Sequence, residues 1–159
     1  VKFFLLLALL AGSAFAGPTE KQIMGAWAVA YGQYHGLRSV YDEGPPPVQL
    51  ESKVELCARM NQPHTCHVRG VYEDGVIYMD AALNFETIEA MAMLVHEDVH
   101  HLQHKNKGSV NDLPEAERCE AYIARERQAY LIQANVLSRS GAGLAAMMVL
   151  HIANAQTCQ

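Results

Sequence analysis

Basic charge is scarce in this chain. Lys and Arg number 12 against 17 Asp and Glu, giving a net charge of −5 at pH 7. No basic stripe with interleaved aromatics occurs, which argues against nucleic acid as a partner, since phosphate backbones are bound by clustered Lys and Arg. Cys-x-x-Cys is also absent, so the four cysteines lack the spacing of a zinc ribbon or a dithiol redox pair. Beyond the N-terminus, no apolar run reaches the roughly 20 residues that span a bilayer. Repeats and low-complexity tracts are missing too, which leaves a single compact domain as the expectation.

The N-terminus is what the chain has instead of a membrane span. Lys2 precedes the run Phe3 to Ala11, and Ala14-Phe15-Ala16 carries the small residues of a cleavage site. This pattern predicts a secretory signal peptide over residues 1–16, cut after Ala16, and a bacterial secreted or periplasmic domain over residues 17–159. A lipid anchor is not expected, because no cysteine lies near the cut. Export in turn predicts that Cys57, Cys66, Cys119 and Cys158 form two disulfides rather than a metal site. Of the three possible pairings, Cys57–Cys66 closes a short loop around Asn61-Gln62-Pro63 and is favoured. That leaves Cys119–Cys158 to tie a long helix to the C-terminus.

Local patterns supply the elements. Thr19 can cap a helix through about Tyr34, with Ile23, Ala26, Trp27, Ala30 and Tyr31 on one face. Gly36 and Gly44-Pro45-Pro46-Pro47 break it and mark an exposed connection. Val48 to Glu51 alternates like a short strand, and Ser52 can cap a helix from Lys53 to Met60. Val68–Tyr72 and Val76–Met79 read as a hairpin through the turn signal Asp74-Gly75. A helix is expected from Phe85, capped by Asn84, to about His104, with Gly108 as its exit. Another is opened by Asp112 or Pro114 and runs to about Ser138; the last spans Leu144 to Ala155. Together these predict an α+β fold, a small antiparallel sheet with helices on one side.

The chemistry is concentrated in His96-Glu97-Asp98-Val99-His100. Residues four apart on a helix point the same way, roughly 6 Å apart along the axis, so two imidazoles in this register can share one metal ion. Glu97, rotated by about 100°, flanks such an ion and can act on its water rather than on the metal. Zinc brings the pKa of its water to about 7, and a neighbouring carboxylate can take the proton during attack on a carbonyl. The apolar segment Ile88 to Val95 places the motif at the end of a core helix, not on a solvated one. Asp98 is expected to face solvent. Gln103 is placed to brace an imidazole or to cap the core.

A catalytic zinc site needs a third protein ligand. The helix after Pro114 offers Glu117, Glu120 and Glu126. Cys119, Tyr122, Ile123, Ala129, Tyr130, Val136 and Leu137 recur at three- and four-residue steps and define a buried stripe. Glu126 and Gln133 fall inside the stripe, whereas Glu117 and Glu120 lie on the polar side with Arg127. A buried carboxylate needs a compensating partner, and a metal supplies one. Glu126 is therefore the favoured third ligand, with Glu120 as the alternative; a buried salt bridge to an arginine is the competing explanation, although the adjacent Arg125 and Arg127 point away on a helix.

His96-Glu97-Asp98-Val99-His100 followed by Glu126-Arg127-Gln128-Ala129-Tyr130 resembles the gluzincin type of zincin metallopeptidase. In that group a later helix supplies a glutamate with a small residue three positions on, as Ala129 is here. Tyr130 departs from the acidic or amide residue usual at the next position and offers a hydroxyl, which could hydrogen-bond a ligand or polarise a substrate carbonyl. Gly70-Val71-Tyr72, a second strand, the motif with its trailing His101 and Gln103, and the Gln128-Ala129-Tyr130 helix also resemble small secreted bacterial metallopeptidase-like proteins, over about residues 66–137. The resemblance implies a minimal zincin-like fold and one Zn²⁺ per chain on His96, His100 and Glu126. It implies Glu97 as general base and Tyr130, or more weakly His101 or His104, as an oxyanion donor. A peptide or protein substrate would be paired to Val76–Met79 as the edge strand. The alternative is a zincin-fold module that binds metal or a partner without hydrolysis, since no second lobe is evident to wall a cleft.

Overall fold

The computed structural model describes residues 16–35, 38–63 and 66–158. The expected signal peptide, but for Ala16, lies outside the described residues. Among those described, six α-helices and one three-stranded sheet make an α+β architecture, and no helix is long and apolar enough to cross a membrane.

Helix α1 (Glu20–Tyr34) starts in a capping box between Thr19 and Gln22 and ends at His35 in the left-handed conformation. A short helix, α2 (Arg38–Glu43), follows within the stretch read from sequence as a connection. Its Val40 is buried in the core, and Tyr41 stacks on Trp27 with ring centroids 6.2 Å apart. Strand β1 (Val48–Glu51) leads into α3 (Lys53–Arg59), opened by a second capping box from Ser52 and Glu55. Strands β2 (Gly70–Glu73) and β3 (Val76–Asp80) form the expected hairpin, starting two residues later than Val68. Asp74 and Gly75 turn it with positive φ angles of 49° and 86°, the pattern that matches strand twist.

Helix α4 (Ile88–Lys107) is capped by Thr87, whose hydroxyl accepts the Ala90 amide at 3.3 Å, not by Asn84. Asn84 instead turns the preceding segment, accepting the Glu86 amide at 3.0 Å. The helix continues past His104 to Lys107 because Lys105 and Lys107 complement its C-terminal dipole. A 3₁₀ turn (Val110–Asp112) precedes α5 (Glu115–Arg139), and α6 (Gly143–Ala155) closes the chain.

The sheet corrects two expectations. Its order is β1-β3-β2, and β1 runs parallel to β3, with Val48 opposite Ile77 and Glu51 opposite Asp80. The sheet is therefore mixed rather than antiparallel: α3 and the following loop bring the chain back as β2, opposite in direction to β1, and the hairpin then turns it so that β3 runs alongside β1 in the same direction. Val76–Met79 is consequently the central strand, hydrogen-bonded on both sides, and not the edge. The edge on the hairpin side is β2.

Trp27, Ile77, Met79, Leu94, Val99 and Leu102 fill the main core, where α1 and the sheet meet α4. A smaller cluster of Ala92, Ala134, Leu137 and Ala146 joins α4, α5 and α6, and its alanines let the helix axes approach closely. Disulfides link Cys57 to Cys66 and Cys119 to Cys158, the favoured pairing, across 9 and 39 residues. In the chain-entropy account these closures contribute roughly 3 and 4 kcal/mol. The second fastens the end of α6 to the start of α5.

Candidate metal centre

His96 and His100 project from one face of α4 toward α5, their Nε2 atoms 3.0 Å apart. Glu126, on the buried face of α5, places Oε1 3.1 Å from His100 Nε2 and Oε2 3.6 Å from His96 Nε2. Four-coordinate zinc with nitrogen and oxygen ligands at 2.0–2.1 Å holds those ligand atoms roughly 3.3 Å from one another. The observed separations straddle that value, so the donor set fits a zinc-sized ion in both chemistry and spacing. These three residues form a group that could hold a metal ion.

Three lone-pair-bearing atoms facing each other need a positive charge between them. In the metal-free protein a proton serves. Burial alone would lower the His100 pKa, but the Glu126 hydrogen bond and the charges of Glu97 and Glu126 outweigh it and raise it to about 9. Burial likewise pushes Glu126 upward, yet its hydrogen bonds to His100 and His96 hold it far below the usual carboxylate range. Among the described residues no arginine pairs with Glu126: Arg125 donates to the Gly108 carbonyl, and Arg127 to those of Ala153 and Gln156.

Gln103 fixes the His100 ring. Its amide nitrogen donates to the Arg125 carbonyl at 2.9 Å and to Gln128 Oε1 at 3.2 Å, so its oxygen is oriented to accept from His100 Nδ1 at 2.9 Å. With Nδ1 carrying the hydrogen, the Nε2 lone pair is left for a cation. Gln103 thus ties one imidazole to the turn of α5 that carries Glu126. His96 has no equivalent: its Nδ1 is buried without a hydrogen-bond partner among the described residues. Its ring packs against Tyr130 at 4.5 Å.

Glu97 is buried between this group and the free edge of β2. A Cβ on Gly70 would lie 2.8 Å from Glu97 Oε1 and 3.1 Å from its Cγ, so the close approach requires glycine. The Arg69 carbonyl accepts the Asp80 amide at 2.9 Å. Antiparallel alternation then turns the backbone groups of Gly70 and Tyr72 outward, the Tyr72 amide toward Glu97. Burial raises the Glu97 pKa against the lowering effect of His96, His100 and that amide.

These residues floor a cleft of about 700 Å³. Strand β2 forms one wall; Tyr122 and Tyr130 of α5 and Val149 and Ile152 of α6 form the other. The sequence offered no second lobe, and two helices of the same domain take its place. Tyr122, read as part of the buried stripe, is 46% exposed, and partial burial of its hydroxyl, with the charge of Glu126, pushes its pKa up. Its position one turn before Glu126 was the available signal. His104 lines the cleft, whereas His101 turns away, with Nδ1 3.3 Å from the Tyr72 hydroxyl and its ring against Trp27. Glu117 and Glu120 are exposed and outside the site.

Asp98 contradicts its expectation. It is 1% exposed, not solvent-facing, and neither oxygen has a hydrogen-bond partner among the described residues. The physical reason is that α4 is covered on both sides, by α1 as well as α5. Burial, with a smaller contribution from the charge of Glu97, pushes its pKa well above the ordinary value.

No family model, curated protein or solved structure matches the chain.

Proposed function

We propose that this protein is a secreted or periplasmic zinc-dependent peptidase of minimal zincin-like form, with His96, His100 and Glu126 as the ligands of one ion. The observation that carries the reading is the position of buried Glu97, between a convergent His-His-Glu group and an unpaired strand edge. A metal-binding module alone has no need of a buried acid at that position. Zinc held there would supply Lewis acidity and a water of lowered pKa.

The chain's own residues account for the remainder. Gly70 presents a free backbone donor and acceptor and Tyr72 a free carbonyl, so an extended peptide can add to β2 as a further strand. This replaces the pairing with Val76–Met79 expected from sequence. Glu97 takes a proton from the attacking water and returns it to the departing amine; its raised pKa suits a group that must hold that proton between the two events. Tyr130, packed on His96, donates to the developing oxyanion. Gln103 keeps the His100 lone pair directed at the ion throughout.

Metal analysis of protein purified without added metal, together with cleavage of a broad peptide library, tests the reading. One zinc per chain is expected, lost in Glu126→Gln and kept in Glu120→Gln, with cleavage abolished in Glu97→Gln. Zinc retained by Glu126→Gln would remove it as a ligand. Bound zinc with no cleavage anywhere in the library would leave the non-catalytic binding module.

A further inference from the structure

Helix α6 contains no Asp, Glu, Lys or Arg, and Leu144, Met147, Met148 and Ile152 are all exposed on it. Single exposed apolar residues are ordinary, but four on one 13-residue helix form a patch. Leu144, Met148 and Ile152 follow one another at four-residue steps and so form a ridge along one side of the helix. The ridge does not end on open surface. Ile152, with Val149 three residues before it, lines the cleft.

The cleft is chemically graded along α4. Met93, which precedes His96 by one turn, also lines it, while His104, Ser109, Asn111 and Arg125 line it beyond His100. The lining near His96 is therefore mostly apolar, with Met93, Tyr130, Val149 and Ile152 beside the amide of Gln133, whereas the lining beyond His100 is mostly polar. Methionine is unbranched and adaptable, so the recess accommodates apolar side chains of differing shape.

We infer that Met93, Val149 and Ile152 form a selectivity recess for a bulky apolar side chain of a polypeptide substrate, next to the bond held over His96. The inference rests on the peptidase reading for its ligand. The occupant is substrate rather than a second copy of the chain, because the apolar wall is continuous with the cleft and faces the free edge of β2. A peptide strand paired to Gly70 and Tyr72 would meet this wall, together with the Tyr130 ring that packs on His96, across the cleft.

Binding to zinc-loaded Glu97→Gln protein tests this without turnover, and so separates its failure from failure of the catalytic assignment. Fluorescent hexapeptides of Gly and Ser, carrying Leu, Phe, Ala or Lys at each position in turn, would be titrated by anisotropy. At one position Leu and Phe are expected to bind roughly tenfold more tightly than Ala or Lys. Adding Ile152→Lys should abolish that preference, while Leu131→Lys, an exposed apolar residue on α5 outside the cleft, should preserve it. Equal binding of all four residues at every position would overturn the inference. So would a preference unmoved by Ile152→Lys, or a self-association that Ile152→Lys abolishes while leaving peptide binding unchanged.

Discussion

The face of α4 that meets α5 and the face that meets α1 both bury ionisable side chains, and they accommodate them differently. Toward α5, His96, His100, Gln103 and Glu126 form one connected set in which, His96 Nδ1 apart, each charge or dipole has a counterpart. Toward α1, His101 touches Trp27, and Asp98 lies one turn earlier on the same face. There the Asp98 oxygens and the Trp27 indole nitrogen have no hydrogen-bond partners among the described residues. A buried polar group that is paired can be held charged and aimed; an unpaired one is driven to its neutral form and opposes folding. The first face could hold a cation. The second carries an acid that the core tolerates.

The largest effects should come from breaking the paired face. His100→Ala removes one donor and the anchor for Gln103, and zinc content is expected to fall from one per chain to none. Glu97→Gln keeps every ligand atom, so zinc should remain while the cleavage rate falls roughly 10²- to 10⁴-fold. Gly70→Ala reaches the same acid from the strand side. Its Cβ would meet Glu97 and the Met79 sulfur, which is 3.1 Å away. Cleavage should drop on the order of 10²-fold through misplacement of Glu97, with about 1–3 kcal/mol lost in urea unfolding from overpacking. Gly32→Ala in α1, where a Cβ meets nothing within 4 Å, should leave cleavage unchanged.

A smaller effect is expected where the pairing is only supportive. Gln103→Leu fills the same space but releases the His100 ring, so zinc affinity should fall about 10- to 100-fold in chelator competition. An unchanged affinity would mean that packing alone orients the imidazole.

The same contrast shows what the sequence could convey. The 3.6-residue period aligned His96 with His100 and put Glu126 and Gln133 on the inner stripe of α5, because each relation lies within one helix. Capping boxes at Thr19 and Ser52 and the Asp74-Gly75 turn were local as well. Strand order was not. Nothing within Val76–Asp80 records that β1 returns beside it in parallel, and that non-local pairing moved the free edge to β2. Asp98 was misplaced for a related reason: charge on a helix is assigned to solvent by default, and only the packing of α1 reveals a helix covered on two sides. Tyr122 erred the opposite way, since the stripe of α5 frays into the cleft before Glu126.

The unpaired face gives the smallest and most diagnostic change, because Asp98 should behave as a neutral acid in the metal-free protein. Its folded pKa lies above the ordinary value of 3.8, so the folded state keeps a proton that the unfolded chain releases. By linkage, stability is then lost as pH rises above about 4 toward the folded pKa. Asp98→Asn has the same shape and no such proton. In urea unfolding of metal-free protein, the two chains should have nearly equal stability at pH 4. At pH 7 the variant should be the more stable, by about 1.4 kcal/mol for each pH unit between the ordinary value and the folded pKa or pH 7, whichever is lower. Other carboxylates and histidines titrate over the same range, but they are common to both proteins, so the difference between the curves isolates Asp98. A variant that is less stable than the parent at pH 7 would mean that Asp98 is ionised and held by a buried partner. The α1 face of the helix would then be paired like the α5 face, and the contrast between them would disappear.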